Sequence, residues 1–352
     1  MRKRVTIRDI AKKSGVSTAT ISRVLNNDTD CCSSETQKRI MATIEEMNYR
    51  PNPIARSLAT KRFNNIALII PDVRNPFFTE LSRGAEDICN ENGFNLMLCN
   101  TDGLKEKEDA YINNLFGMID GAIITTQNVE EENLLLAELA AQGLPLTTVE
   151  RYAPCTDALY GVRFDNFNGS LMAANLLLKH GHTKIMFITG PLSTTNARHR
   201  LEGYQEAMRI SGAEMDPGLI RYGNYKIDSG YELVREVLLE GKEFTAVMTS
   251  NDMMAIGACK ALREHGKHIP EDISVTGFDG TLFASIYEPP IVSVIIPAYE
   301  MGVSAANQLL YQLNKTGDGQ GILQFAPALS QGSSVADVKR SSSQEAAISS
   351  NR

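Results

Sequence analysis

No stretch of this 352-residue chain approaches the roughly 20 consecutive apolar residues that a membrane-spanning helix needs. The start lacks the apolar run of a secretory signal. Met1-Arg2-Lys3-Arg4 passes straight into Thr6, Arg8 and Asp9, so the expectation is a cytoplasmic protein with no membrane partner. The six cysteines, at 31, 32, 89, 99, 155 and 259, lack the spacing of a disulfide framework or a zinc site, which leaves reduced, mostly buried thiols. The five histidines (180, 182, 199, 265 and 268) share no metal-ligand spacing. There is no nucleophile–base motif and no phosphate-cradling glycine loop. These absences argue against an enzyme, and neither a metal nor a cofactor is expected.

Basic charge is also short overall, since the net charge is −7. The shortage is uneven. Residues 1–62 hold 13 Lys/Arg against 6 Asp/Glu, while the remainder holds 22 against 36. A basic head on an acidic body implies that the head meets a polyanion and the body does something else.

The first fifty residues read as three short helices. Thr6 can cap a helix over 7–13, Ser14-Gly15-Val16 forms a turn, and Ser17 can cap a second helix over 18–25. After a polar loop, Ser33 opens a third helix, with Ile40, Ile44 and Met47 on one face. Pro51-Asn52-Pro53 breaks the pattern and can start a short helix over 54–59. From residue 64 apolar runs alternate with amphipathic helices, the grammar of parallel sheets with crossover helices. The pattern restarts near 160, which implies two similar doubly wound lobes whose ligand sits outside the carboxyl ends of the strands. The Ser-rich stretch from Ser333 reads as disordered. The expected domains are therefore a DNA-binding head over 1–50, a hinge over 51–62, a two-lobed body over 63–332 and a tail over 333–352.

Within the head, Ala11 is small where two helices would cross, Gly15 permits a tight turn, and Ile10, Val16, Ile21 and Val24 make a small core. Thr18, Ala19 and Ser22 are left pointing outward at the start of the second helix, where a helix-turn-helix reads base edges. An ordinary helical hairpin is the plainer alternative; the caps, the basic charge and the hinge-like segment outweigh it. Val5–Asn26, with Thr36-Gln37-Lys38-Arg39-Ile40 and Asn48-Tyr49-Arg50-Pro51-Asn52, resembles the headpiece of the lactose/galactose-repressor (LacI/GalR) family. The resemblance continues through Asn75-Pro76-Phe77-Phe78, Asp120-Gly121, Gly181-His182, Gly190-Pro191, Arg200-Leu201-Glu202-Gly203-Tyr204, Ser250-Asn251-Asp252, Gly277-Phe278-Asp279 and Met301-Gly302.

The resemblance implies an all-α helix-turn-helix head with a hinge helix, followed by an α/β periplasmic-binding-protein-like body. It implies base reading by Thr18, Ala19 and Ser22, and phosphate contacts by Thr6, Ser17, Arg23, Asn26, Ser33 and Thr36. It casts residues 54–59 as the hinge helix and Leu58 as a minor-groove wedge; Leu58 could equally pack against Ile54. It implies an effector pocket lined by Asn75, Phe77, Phe78, Arg200, Asn251 and Asp279, and a homodimer on operator DNA. A polyhydroxyl ligand suits that set, because aromatic faces cover C–H surfaces and charged or amide groups take hydroxyl pairs. Without the resemblance, Phe77 and Phe78 read as core and Asp252 as a helix cap. Asp279 with Arg200 favours a neutral sugar, since a carboxylate disfavours an acidic ligand unless further cations offset it. Many sugar-responsive members carry a polar residue before the proline at Ile296-Pro297, where this chain has isoleucine.

The expected function is thus a sequence-specific transcription regulator, a repressor of a catabolic operon, controlled by a small sugar-like effector between the lobes. Three rivals differ in what they require. A transporter's solute-binding protein would need a signal and no basic head. An enzyme would need a motif the chain lacks. A phosphoprotein co-regulator would dock on cations after Met301-Gly302, where the chain reads Val303-Ser304-Ala305-Ala306-Asn307-Gln308.

Overall fold

The computed structural model describes residues 5–25, 30–50, 62–126, 134–152, 160–314 and 321–338. Two compact units divide at Phe63 and Asn64.

The first unit holds helices α1 (Ile7–Ser14), α2 (Thr18–Leu25) and α3 (Ser34–Glu46). Each begins where a short polar side chain can meet a free backbone N–H. The Asp9 carboxylate accepts from the Thr6 N–H at 2.9 Å and from the Thr6 hydroxyl at 2.7 Å. The Thr20 N–H donates to the Ser17 hydroxyl at 3.0 Å, and the Thr36 N–H to that of Ser33 at 3.3 Å. Gly15 ends α1 at φ 66°, a left-handed conformation that suits glycine. Ile10, Ala11, Ile21, Val24 and Ile40 form the core, with Val16 packed at its edge.

The second unit contains two six-stranded sheets. The first lobe runs through β1 (Asn65–Ile70), α4 (Pro76–Glu91), β2 (Asn95–Asn100), α5 (Lys105–Leu115), β3 (Gly121–Ile124), α6 (Leu134–Ala141), β4 (Leu146–Val149) and β5 (Tyr160–Phe164). The chain then crosses to the second lobe. There it forms α7 (Asn166–Lys179), β6 (Ile185–Thr189), α8 (Thr195–Ser211), β7 (Ile220–Tyr222), α9 (Ile227–Leu239), β8 (Ala246–Thr249), α10 (Asp252–Glu264), β9 (Ser274–Asp279), α11 (Leu282–Ile286) and β10 (Val292–Ile295). It returns to the first lobe with α12 (Ala298–Asn314) and β11 (Ile322–Phe325), and ends in the second with β12 (Ala328–Leu329). The first sheet has the order β11-β5-β4-β3-β1-β2 and is parallel throughout. The second has the order β12-β10-β9-β8-β6-β7, antiparallel only at β12. The inner strands are buried on both faces, as βαβ crossovers require, and some read as unbroken apolar runs such as Ile66–Ile70. Phe164 and Phe278 meet edge to face at 5.9 Å where the lobes adjoin.

The strand at 160 belongs to the first lobe's sheet, paired in parallel with β4 and β11, and the second lobe begins after it. One expectation needs correction. The tail expected from Ser333 does not start there. Ser334 is fully buried; its hydroxyl donates to the Val275 carbonyl at 2.6 Å and accepts from the Val292 N–H at 2.9 Å. His182 bonds the Ala336 carbonyl at 2.9 Å, and the Val338 N–H donates to the His180 carbonyl at 2.9 Å. Ordered backbone thus continues through Val338, past the expected body boundary at 332; residues 339–352 lie outside the described residues.

Candidate DNA-reading head and effector cleft

In the first unit Thr18, Ala19, Ser22 and Arg23 are all exposed on α2, while Ile21 and Val24 on the opposite side fill the core. Thr6, Ser17 and Ser33 stand exposed at helix starts, and Thr36 is half-buried one turn into α3. Backbone N–H groups and partial positive charge concentrate at such starts, which suits phosphate contact. Asn26 and Leu58 lie outside the described residues, as does the proposed hinge helix apart from its flanking Arg62.

In the second unit a cavity of about 420 Å³ opens at the carboxyl ends of strands from both lobes. Every effector residue expected from sequence lines it: Asn75, Phe77, Phe78, Arg200, Asn251 and Asp279. Asn75 caps α4, accepting from the Phe77 N–H at 3.0 Å, and so turns both phenyl rings inward. Phe77 and Phe78 are at once core and cavity wall, packed edge to face at 4.9 Å. Asn251 caps α10, and its amide donates to the Tyr225 carbonyl at 3.0 Å. Asp252 lies deeper and is more than a cap: its carboxylate accepts from the Ser293 hydroxyl and the Thr281 N–H, both at 2.6 Å.

Arg200 occupies the junction of the lobes and is almost fully buried. Its Nη2 pairs with Glu150 Oε1 at 3.0 Å and its Nε donates to Asn166 Oδ1 at 2.7 Å. Its Nη1 donates to the Ser250 carbonyl and lies 3.7 Å from Asp279 Oδ1. The Phe278 ring backs the guanidinium at 3.8 Å. The far carboxylate oxygens of Glu150 and Asp279 are buried without a hydrogen-bond partner, as is the Tyr225 hydroxyl. Orphaned polar atoms of this kind around one cavity are costly unless a ligand completes them. Burial raises the Asp279 carboxyl well above the usual range; Arg200 opposes this, while Asp252 and Glu150 add to it. Asp279 at φ 110°, Glu150 at φ 61° and Tyr225 at φ 66° all hold left-handed backbone, the strain that concentrates at functional sites.

Sequence reasoning missed Glu150, Arg151 and Tyr225. The available signal was a charged pair, Glu150-Arg151, directly after the apolar strand β4, at the end where doubly wound folds bind ligands.

A helix-turn-helix head and a two-lobed body with a strained, polar cleft define a ligand-responsive DNA-binding regulator. The comparisons with known proteins agree. Residues 6–52 match the family described as bacterial regulatory proteins, lacI family. Residues 64–326 match the periplasmic binding proteins and sugar binding domain of the LacI family. The chain belongs to the LacI family of transcription regulators and is not an enzyme. It is 39% identical to the HTH-type transcriptional regulator RegA of Clostridium saccharobutylicum, over 88% of this chain and 92% of that protein. It is similar to the lac repressor dimer bound to operator and the anti-inducer ONPF, with a TM-score of 0.82, 25% identity and coverage of 95% of this chain and all of that one. It also resembles a complex of the transcriptional regulator CelR with cellobiose, with a TM-score of 0.70, 28% identity and coverage of 94% of this chain and 100% of that one. Among the described residues no helix is long and apolar enough to cross a membrane.

Proposed function

We propose that this regulator binds operator DNA in the cytoplasm as a homodimer, represses a catabolic operon, and changes operator affinity when a sugar-like effector fills the cleft. The observation that carries this reading is the cleft itself: aromatic walls, unpartnered buried oxygens and residues from both lobes around one cavity. The sugar bound to the cellobiose regulator favours the same ligand class. Thermal-shift screening of the full chain against a sugar panel tests it, because a ligand of the folded state raises stability with RT ln(1 + [L]/Kd).

On DNA, Thr18, Ala19 and Ser22 read bases, while Thr6, Ser17, Arg23, Asn26, Ser33 and Thr36 hold phosphates. Leu58 wedges into the minor groove. Arg23→Ala should weaken binding to all sequences alike and flatten the salt dependence by about one counterion. Changing Thr18 or Ala19 should alter base preference. Operator titrations over a salt series check both. Uniform weakening by Thr18 and Ala19 variants would remove them from the reading set.

Dimerisation is supported by α11, which presents Leu282, Phe283 and Ile286 at 69%, 50% and 66% exposure. Large side chains of this kind in one patch mark an interaction surface, and the operator complex of the lac repressor is a dimer. Phe283→Asp should shift the protein toward monomer in sedimentation and weaken operator binding at least tenfold. A variant that remains dimeric at micromolar concentration would place the interface elsewhere.

A further inference from the structure

We infer that Cys31 and Cys32 form a modification site in the head, where a peroxide joins the two thiols in a vicinal disulfide and the ring weakens the grip on operator DNA. The inference rests on the first unit being the DNA-binding head and is independent of the cleft. The two residues are neighbours in the chain, at the bend that leads into α3, and both are half-buried at the edge of the head's core. The Cys31 thiol donates to the Cys32 sulfur at 3.8 Å. A disulfide needs about 2.05 Å, so the sulfurs have roughly 1.8 Å to close.

One cysteine, as thiolate, attacks a peroxide oxygen. The O–O bond breaks, leaving a sulfenic acid on the protein and a water or alcohol from the peroxide. The second thiol then attacks the sulfenic sulfur; the S–S bond forms, the S–O bond breaks, and water leaves with the thiol's proton. The pair loses two electrons in all, and the peroxide takes them. Three other cysteines are poor competitors. Burial pushes the Cys89 and Cys99 thiols up to about 11 and the Cys259 thiol up to about 12, so little of the reacting thiolate exists near neutral pH. Adjacent residues stand about 3.8 Å apart at Cα across a trans peptide, below the usual disulfide span of about 4.4–6.8 Å. A ring between neighbours is therefore strained, and strained disulfides are the labile, regulatory ones. Closing it turns the peptide that joins the two cysteines. The Cys32 carbonyl accepts from the Gln37 amide at 3.4 Å, and the next residue, Ser33, accepts the Thr36 N–H at 3.3 Å. Turning that peptide displaces the start of α3, and with it Ser33 and Thr36, two of the residues proposed to hold phosphate.

The test treats the full-length protein with hydrogen peroxide and then with dithiothreitol. At each stage it records intact mass, a peptide map, and anisotropy on a palindromic duplex that the protein selects from random DNA. Binding by the reduced protein checks the head reading separately. Oxidation should remove about 2 Da, the two thiol hydrogens, from the peptide carrying Cys31 and Cys32. It should also weaken binding to the duplex at least tenfold, and dithiothreitol should restore both mass and affinity. Cys31→Ser and Cys32→Ser should bind as the reduced parent does and keep that affinity after the same treatment; Cys31→Ala and Cys32→Ala give the same comparison if a serine lowers the thermal transition. A ring that forms without changing affinity would overturn the inference, as would equal weakening of the parent and the variants by peroxide. So would a disulfide to another cysteine or another chain, or oxygen addition that dithiothreitol does not reverse.

Discussion

Asp279→Gly should leave a folded regulator whose response to its effector is shifted to roughly 10- to 100-fold higher concentration. The backbone at this position sits at φ 110°, which glycine adopts readily and other residues do not. Removing the side chain therefore relieves backbone strain, unlike most truncations of a buried residue. Arg200 keeps its bonds to Glu150, Asn166 and Ser250 when Asp279 is gone, so the junction between the lobes persists. What disappears is a buried carboxyl whose outer oxygen has no partner in the protein and faces the cleft. A ligand hydroxyl that loses this partner costs about 1.5–3 kcal/mol, roughly 10- to 100-fold in effector affinity. The thermal transition should stay within a few degrees of the parent, while the effector-dependent shift in it should fall to about half or less at a ligand concentration roughly 100-fold above the parent's Kd. A variant that keeps the full shift would show that Asp279 does not touch the ligand.

Arg200→Ala should have the opposite profile, with stability falling first. The side chain is buried against Glu150, which then keeps a charge in the interior with no cation at its inner oxygen. Breaking a buried pair from one side costs about 3–5 kcal/mol. In a body of this size that corresponds to roughly 10 °C in Tm. The loss is specific to the pairing, so Arg200→Met combined with Glu150→Leu should recover much of it, since apolar replacement of a whole buried pair is often neutral. A single variant as stable as the parent, or a double variant no better than the single, would contradict the role of Arg200 as the junction between the lobes. An Arg200 variant that fails to respond to ligand is therefore weaker evidence about the sensing site than Asp279→Gly.

These two cases show what could be read from sequence and what could not. The head was legible because its signals are local: Ser17 and Ser33 precede apolar periodicity by one residue, and Gly15 sits where the helix must end. The cleft residues at strand ends were legible for a related reason, since Asn75 and Asn251 follow apolar strands and Asp279 ends one, in a fold whose parallel strands point their carboxyl ends at one place. The Arg200–Glu150 pair was not, because fifty residues separate the partners and nothing in Val149-Glu150-Arg151 marks either charge as buried. The threading of the lobes escaped for the same reason. Whether β5, α12 and β11 belong to the first or second sheet depends on pairing between distant strands, not on local pattern. Ser334 reads as one of many serines near the end of the chain, and only its two bonds to β9 and β10 reveal it as interior.

The central claim is that ligand in the cleft changes affinity for DNA, and a ligand does this only by binding the two states of the protein unequally. The most direct measurement is the anisotropy of a labelled palindromic duplex, isolated from random DNA by the protein itself, titrated with the regulator alone and with a saturating ligand from the thermal-shift screen. Two chains should bind each duplex, and the ligand should move the apparent Kd at least tenfold, upward for an inducer or downward for a corepressor. Superimposable curves at saturating ligand would contradict the account.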